Sequence, residues 1–282
     1  MSDDSPPAGK DSPHLEAHEK QQAAHAQQLP ARVIHEVLRE EGEAELRRPV
    51  GALLWSGLAA GLSMGFSFLT LALLKRAQAG AVLAPLGYAV GFLIAVLGKQ
   101  QLFTETTLTA LLPILHRPTL AGLGRLACMW SVVLVANLVG TLVFAWLAAR
   151  PGLFPPDTLN ALRQTARGAF SVDFGIGMLR ATFSGWLIAL MVWLLPAARS
   201  AAPFVIAALT YVVALAEFPH VIAGSTEAAY AVFSGDASWG DYLARFLAPT
   251  LMGNMIGGTA LAALLNHAPV AHDIAAREAE GK

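Results

Sequence analysis

Residues 98–107 read GKQQLFTETT, and residues 216–227 read AEFPHVIAGSTE. Each run follows an uncharged apolar stretch, 78–98 in the first case and 200–216 in the second, and each precedes a short second apolar piece. Irregular backbone at membrane depth is tolerated only where it is buried in protein or lines a wet cavity. The two runs therefore predict two broken membrane helices, which are the best sequence indication of a transport site.

Uncharged apolar blocks of membrane length recur along the chain. The sequence is 55% hydrophobic and 14% charged, whereas soluble domains are about 25% charged. A helix rises ~1.5 Å per residue and the hydrocarbon core is ~30 Å thick, so ~20 apolar residues span it. We predict an all-α membrane protein with six spans, and the defining uncharged blocks are 50–74, 78–98, 126–149, 181–198, 200–216 and 246–266.

A small-residue motif occurs in both the third and the sixth span. Thr104 in the first break precedes Asn137 of the third span by 33 residues, and His220 in the second break precedes Asn254 of the sixth span by 34. Order, motif and spacing agree, which favours a duplicated three-span unit. The motif residues are Asn137 and Gly140 in the third span, and Asn254, Gly257 and Gly258 in the sixth.

A further match joins the first and fourth spans, where Ser-Gly stands at 56–57 and again at 184–185. Because each half has an odd number of spans, the second copy is predicted to be inverted, with the second and fifth helices broken. A pseudo-two-fold axis then brings Thr104 and His220 together near the midplane. The alternative is chance recurrence, since small residues are common where membrane helices pack closely.

Small residues on the first span also predict close helix contact. Gly57, Gly61 and Gly65 recur every four residues and form one stripe. From this stripe we expect a homo-oligomer embedded in the lipid bilayer.

The polar ends of the chain predict its orientation. Arg-Arg at 47–48, directly before the first span, favours a cytoplasmic N-terminus, and six spans return the C-terminus to the same side of a cell inner (plasma) membrane. Segment 31–48, just before the first span, is expected to form an amphipathic helix that lies on the membrane face or on a neighbouring subunit. The predicted units are a disordered tail at 1–30, an amphipathic helix at 31–48, the six-span domain at 49–267 and a C-terminal tail at 268–282.

Four runs together resemble the formate/nitrite transporter family. They are GKQQLFT at 98–104, NLVG at 137–140, EFPH at 217–220 and GNMIGG at 253–258. The resemblance implies an aquaporin-like fold and a homopentamer in which every protomer has its own pore. It also implies passage of small monovalent anions or their acids, such as formate, nitrite or hydrosulfide.

Several positions depart from the family pattern and place the chain in a divergent branch, similar to poorly characterised inner-membrane members. The fold transfers well across such departures, and the identity of the substrate transfers poorly. The departures are Gln101 for an acidic residue, Glu105 and Thr106 for a small residue and asparagine, Gly185 and Gly224 for asparagines, and Ala169 for a lysine.

His220 and Thr104 are the candidate polar groups of the pore. A neutral imidazole donates a hydrogen bond to an anion, and a protonated one offsets the charge or supplies a proton. The Thr104 hydroxyl is a second donor. The structural alternatives are a histidine tied to a loop carbonyl and a threonine that caps the short helix.

Glu105 is less easily explained, because an ionised carboxylate repels an anion and is costly to bury without a partner. We expect it to pair with Lys99 or Arg180, with a cap at the start of the short helix as the alternative. Arg180 itself is expected to reach the membrane interface.

Apolar side chains beside the breaks predict constrictions. Leu102 and Phe103 would block hydrated ions through the cost of desolvation. Tyr88 and Phe92, one helical turn apart, are candidates for a second constriction, with packing against lipid or a neighbour as the alternative.

The sequence favours transport over a membrane-embedded enzyme or receptor. It has no metalloprotease, nucleophile-elbow or phosphate-loop motif, and its single cysteine, Cys128, provides no thiolate metal cage. With a net charge of −1, no nucleic-acid partner is indicated. We expect no cofactor and no metal, and a neutral small solute is the alternative cargo.

Overall fold

The computed structural model describes residues 29–265 together with residues 16 and 268, and this part of the chain is helical, without a β-strand. The predicted tails, 1–30 and 268–282, fall almost wholly outside the described residues.

The described helices follow one another with short connections. They are α1 Ala31–Leu46, α2 Val50–Arg76, α3 Gly80–Leu97, α4 Phe103–Thr109, α5 Leu112–His116, α6 Leu120–Ala148, α7 Pro156–Arg167, α8 Phe174–Ala198, α9 Ala202–Leu215, α10 Ala223–Phe233 and α11, a helical run comprising Trp239–Asp241, a π-helical segment Tyr242–Leu247, Ala248–Met255 and a second π-helical segment Ile256–Leu264.

Within the described residues, four helical stretches are long and apolar enough to cross a membrane. Three are α2, α3 and α6, and the fourth is the 42-residue stretch Phe174–Leu215, which contains α8 and α9. Arg199 separates these two helices with a φ of 46°. Large hydrophobic side chains such as Trp55 and Phe204 are exposed on the outside, as expected for surfaces that face lipid.

The helices are interrupted at the two polar runs. α3 ends at Leu97 and α4 begins at Phe103, while α9 ends at Leu215 and α10 begins at Ala223. At both places the second residue after the helix has a positive φ, 50° at Lys99 and 52° at Glu217. Positive φ is uncommon outside glycine, so the two segments share an unusual local geometry.

Glycines set the register of the two helix pairs. A Cβ on Gly61 would lie 2.1 Å from the backbone oxygen of Asn137, and a Cβ on Gly185 would lie 2.3 Å from that of Asn254. Gly61 is therefore the counterpart of Gly185. The predicted match of Gly57 with Gly185 is wrong by one helical turn, because Ser and Gly recur at several registers of the same helix face.

The glycine stripe of α2 packs inside the protomer. Any side chain there would push α2 away from α6, since the nearest contacts of an added Cβ are 2.1–2.8 Å long. The stripe thus holds two helices of one chain together and does not provide the oligomer surface that we expected from it. Its contacts are Gly57 with Ala136, Gly61 with Asn137, and Gly65 with Phe144.

The amphipathic helix α1 lies against its own chain. Its buried side faces α4, α5 and α8, and a Cβ on Gly42 would lie 2.0 Å from the backbone oxygen of Thr109. On the outer side Arg39 pairs with Glu36 and Glu43. The expected contact with the membrane face or a neighbouring subunit is thus replaced, for this buried side, by a contact within the protomer.

Candidate functional site

Thr104 and His220 meet in the interior of the molecule. The Thr104 Oγ1 and His220 Nε2 atoms are 2.8 Å apart, and each residue is 1% exposed. Thr104 lies in the first turn of α4, directly after the first interruption, and His220 lies in the second interruption, 116 positions further along the sequence. The expectation that they lie close together is confirmed, and Thr104 does not cap α4, since the N-cap residue is Leu102.

The surroundings of His220 define the tautomer of a neutral ring. Its Nδ1 accepts a hydrogen bond from the Ala223 backbone N–H at 3.2 Å, so Nδ1 carries no proton. The ring proton is then on Nε2 and is donated to Thr104 Oγ1. The edge of the ring faces Phe92, with centroids 5.1 Å apart. Thr104 keeps its own hydroxyl proton for another acceptor.

Asn137 on α6 holds the first interrupted segment. Its Oδ1 accepts from Phe103 N at 2.9 Å, and its Nδ2 donates to Gln101 O at 2.9 Å and to Gly57 O at 2.7 Å. One buried amide therefore satisfies backbone groups on both sides of Leu102. Such satisfaction is necessary because an unpaired backbone group in hydrocarbon costs several kcal/mol, on the order of a lost hydrogen bond or more.

Asn254 on α11 holds the second segment in the same way. Its Oδ1 accepts from Val221 N at 2.8 Å, and its Nδ2 lies 2.8 Å from Ala181 O, 2.8 Å from Ser184 Oγ and 3.2 Å from Pro219 O. The amide again bonds to backbone groups on both sides of a central residue, which here is His220.

These two amides fix the correspondence between the segments. The backbone N–H groups of Phe103 and Val221 donate equivalent hydrogen bonds to the two asparagine Oδ1 atoms, so Leu102 occupies the position equivalent to His220. Sequence spacing had paired Thr104 with His220, which is off by two residues. The spacing from break to asparagine is nearly equal in both halves. It therefore predicts the two equivalent asparagines, but it does not predict which residues of the two breaks are equivalent.

Two cavities adjoin this centre. The larger has a volume of about 660 Å³ and includes His220, Tyr88 and Glu227 in its wall. The smaller has a volume of about 420 Å³ and includes Gln101 and Glu105. His220 borders the larger cavity, and Glu105, the neighbour of Thr104 in the chain, borders the smaller one. The contact between Thr104 and His220 therefore lies between the two cavities.

The predicted apolar residues are buried around the centre. Leu102 and Phe103 are 0% and 1% exposed, and the Phe103 ring faces Trp130 with centroids 6.5 Å apart. Tyr88 and Phe92 are also buried, with ring centroids 5.4 Å apart. Tyr88 and Phe92 therefore lie inside the protomer, and the alternative of packing against lipid is wrong.

Glu105 does not have the partner that we expected. Lys99 pairs with Glu41 at 3.6 Å, and Arg180 lines the larger cavity, not the smaller one. The N-cap of α4 is Leu102, without a side-chain cap. Among the described residues, Glu105 Oε1 is a buried acceptor with no hydrogen-bond donor. Both the predicted pairing and the predicted cap are wrong.

A second carboxylate, Glu227 on α10, was missed by sequence reasoning. It is partly buried in the wall of the larger cavity, which also includes His220, Arg180 and Lys75. The available signal was an acidic residue directly before the short apolar piece at 228–233.

A polar network at the smaller cavity was also missed. Glu45 Oε1 accepts from Gln101 Nε2 at 2.7 Å, and Glu45 Oε2 accepts from Thr109 Oγ1 at 2.6 Å. Arg48 Nη1 donates to Gln101 Oε1 at 2.6 Å. Burial raises the pKa of Glu45, which belongs to α1 outside the membrane-spanning helices. An acidic residue at 101 would face this carboxylate, so glutamine suits the position.

Two further departures from the family pattern follow from packing. A Cβ on Gly185 would lie 2.3 Å from the Asn254 backbone, and a Cβ on Gly224 would lie 2.7 Å from the Phe246 ring. Asparagine therefore has no room at either position.

Within the described residues, no group of three or more His, Cys, Asp or Glu side chains is placed to hold a metal ion.

Comparison with known proteins agrees with this architecture. The sequence model of a family described as formate/nitrite transporter matches residues 32–268. The inner membrane protein YfdC of Escherichia coli (strain K12) is 41% identical over 261 residues, which cover 90% of this chain and 84% of YfdC. The formate channel BtFdhC of Bacillus thuringiensis is 27% identical over 240 residues, which cover 80% of this chain and 89% of the channel.

A solved structure, a pentameric formate channel with formate bound, has the same fold. It superimposes with a TM-score of 0.63 at 17% sequence identity, covering 75% of this chain and 94% of the channel. The resemblance seen in the sequence is thus confirmed over most of the chain. From the family match and the identity with YfdC, we conclude that the chain belongs to the formate/nitrite transporter family.

Proposed function

We propose that this protein is a membrane channel or transporter for a small monovalent anion or its weak acid, of the size of formate, nitrite or hydrosulfide. The observation that carries the proposal is the buried contact between Thr104 and His220, which joins the two interrupted segments between two cavities. Family membership and the likeness to formate channels support it.

The proposed topology has six spans in two inverted halves. α2, α3, α6, α8, α9 and α11 are the spans, and α4 and α10 complete the broken second and fifth helices. A stretch of 42 residues at ~1.5 Å per residue is about 63 Å long, roughly twice the hydrocarbon core, so Phe174–Leu215 supplies two crossings. The equivalent amide contacts of Asn137 and Asn254 support the duplication.

The proposed assembly is a homopentamer in the inner membrane, with both termini in the cytoplasm and one pore in each protomer. The fold shared with a pentameric formate channel supports this assembly. The units are the amphipathic helix at 31–48 and the six-span domain at 49–267, flanked by the tails at 1–30 and 268–282.

At the centre of the pore, His220 acts as a neutral donor. Because its Nδ1 is occupied by the Ala223 N–H, only Nε2–H faces Thr104. A passing oxygen accepts the Thr104 hydroxyl proton, or takes the place of Thr104 as acceptor for the ring. These donors offset part of the lost hydration, while Leu102 and Phe103 exclude hydrated ions through the cost of desolvation.

An enzymatic role has less support, since the family match and the likeness to formate channels favour transport. A neutral solute is the alternative cargo, because the uncompensated Glu105 carboxylate faces the smaller cavity.

The proposal is tested by flux into proteoliposomes containing the purified full chain, with formate, nitrite and hydrosulfide as cargo. We expect at least one of them to enter faster than into protein-free vesicles. The control is His220→Phe, which removes both ring hydrogen bonds while keeping an aromatic side chain. Equal rates for the wild type, the variant and empty vesicles would refute the proposed function.

A further inference from the structure

Phe246 of α11 contributes an aromatic ring to the wall of the larger cavity. It is 2% exposed, and the same wall contains His220 and Gly224. A Cβ on Gly224 would lie 2.7 Å from Phe246 Cζ and 3.0 Å from Phe246 Cε2. The tip of the ring therefore fills the space that any side chain at position 224 would need.

Gly224 lies one helical turn after His220. Its backbone N–H donates to His220 O at 2.9 Å. The ring that packs on this glycine is therefore next to the turn from which the imidazole reaches Thr104. A solute that approaches His220 from the larger cavity meets a wall that contains this ring.

The backbone of α11 holds the ring in this position. Tyr242–Leu247 is π-helical, and this rare, wider turn is found frequently at functional sites. The Tyr242 hydroxyl donates to Ser225 Oγ at 3.1 Å, and the Tyr242 and Phe246 rings have centroids 6.2 Å apart. Because Ser225 follows Gly224 directly on α10, this hydrogen bond ties the π-helical segment to α10 beside the glycine.

Other aromatic side chains surround the same approach to His220. Tyr88 and Phe218 line the cavity, and the Phe92 ring packs against the imidazole with centroids 5.1 Å apart. The charged side chains of the wall, two cations and two carboxylates, give it no net attraction for an anion. They are Lys75, Arg180, Glu217 and Glu227. A solute on this side of His220 therefore meets aromatic surface without a net charge to draw it in.

We propose that Phe246, packed on Gly224, is a specificity-determining residue that favours a polarisable, weakly hydrated sulfur solute, hydrosulfide or its acid, over a carboxylate such as formate. This inference rests on the proposed function and names its substrate class. Formate that leaves water loses hydrogen bonds at both oxygens, and an aromatic ring does not replace them. Sulfur is soft and makes favourable contacts with aromatic rings, so hydrosulfide loses less and gains more beside Phe246.

The experiment compares hydrosulfide with formate in proteoliposomes that contain the full chain, at an alkaline pH where sulfide is mainly ionised. The rates into protein-free vesicles are subtracted. For the wild type we expect hydrosulfide to enter at least about tenfold faster than formate, a factor that corresponds to about 1.4 kcal/mol. Phe246→Asn replaces the ring with an amide that binds formate oxygens and should narrow this ratio about tenfold.

The matched control is Phe233→Asn, the same substitution at the end of α10. Phe233 packs against Trp239, with ring centroids 5.4 Å apart, and it belongs to neither of the two cavity walls. We expect this variant to keep the wild-type ratio of hydrosulfide to formate flux.

A second variant, Phe246→Leu, remains decisive if Phe246→Asn fails to assemble. Leucine keeps a buried apolar side chain beside Gly224 and removes only the aromatic ring. The ratio should fall toward one because the contact between sulfur and the ring is lost. An unchanged ratio in Phe246→Leu would show that the ring does not select the solute.

The outcomes separate the two ideas. If the wild type carries formate as fast as hydrosulfide, or if either Phe246 variant assembles and keeps the wild-type ratio, the inference is wrong and the proposed function stands. If the wild type carries neither formate, nitrite nor hydrosulfide faster than protein-free vesicles, the proposed function fails and the inference fails with it.

Discussion

Replacing Thr104 with valine tests the centre of the pore most directly. Valine has nearly the shape of threonine and lacks the hydroxyl that faces His220 Nε2 at 2.8 Å. The buried ring N–H then loses its acceptor, and a passing oxygen loses its hydroxyl donor. We expect lower stability and slower flux, with Thr104→Ser restoring both because serine keeps the hydroxyl.

The magnitude follows from the contacts. An unsatisfied buried donor costs about 1–3 kcal/mol, so Thr104→Val should lower the free energy of unfolding by that amount. A hydrogen bond to a charged group contributes about 1.5–3 kcal/mol. If passage through the centre limits the rate, flux should fall about 10- to 100-fold.

The matched control is Thr106→Val on the same helix. Thr106 is 0% exposed, and its hydroxyl donates to Phe103 O at 2.8 Å, within its own helical turn. The control loses a hydroxyl of equal burial, and its carbonyl acceptor remains on the helix backbone. Stability is measured by thermal aggregation in detergent, and flux by formate uptake into proteoliposomes. Equal flux for Thr104→Val and Thr106→Val would refute the role assigned to Thr104.

Three more perturbations follow from the same contacts. His220→Asn should assemble, because asparagine also offers donors and an acceptor, and it should conduct more slowly. The pH profile of flux should stay unchanged because the wild-type ring acts in its neutral form, and a flattened profile would show that the ring titrates during transport. Asn137→Leu and Asn254→Leu should each lower the free energy of unfolding by several kcal/mol, on the order of two to three lost buried hydrogen bonds. If either substitution left the stability unchanged, the two amides would not be equivalent. Because the raised pKa of Glu45 favours the docked α1 at low pH, that contribution is fully present below the ordinary value of 4.5 and is lost as pH rises through the raised pKa. The protection factor of Ala31–Leu46, which is the exchange rate relative to that of an unfolded chain at the same pH, should therefore be larger below pH 4.5 than above the raised pKa, and Glu45→Gln should remove this difference.

The breaks and their asparagines were predictable from sequence because the bilayer restricts the alternatives. Backbone N–H and C=O groups cannot remain unpaired in hydrocarbon, so a polar interruption requires a buried partner from another helix. Asn137 and Asn254 stand at nearly equal distances downstream of the two breaks, and both supply that partner. The spacing therefore predicts which two asparagines hold the interrupted segments.

Other parts of the site could not be read from the sequence because they depend on packing between distant segments. Glu45 reaches Gln101 and Thr109 across 56 and 64 residues, and no local pattern encodes that contact. Lys99 and Arg180 are the cations that the sequence offers as partners of Glu105. Lys99 pairs instead with Glu41 of α1. The periodicity of α1 predicts an amphipathic helix, but it does not predict which part of the protein that helix contacts.

The order of polar groups along the proposed path leads to a conclusion about charge movement. From the smaller cavity a solute meets a lone acceptor, Glu105, and then the donors Thr104 and His220. Beyond them lies a cavity in which Lys75 and Arg180 offset the carboxylates. An acceptor recognises an acid with its proton, whereas donors and cations favour the deprotonated form. On the proposed scheme the donors at the centre favour a solute oxygen that accepts hydrogen bonds, and the larger cavity, in which carboxylates match the cations, adds no preference for an anion. A passive channel cannot set the direction of this movement, because it speeds transport in both directions by the same factor. The gradient of the transported solute sets it, and an imposed membrane voltage adds to that gradient only when the crossing species is the anion.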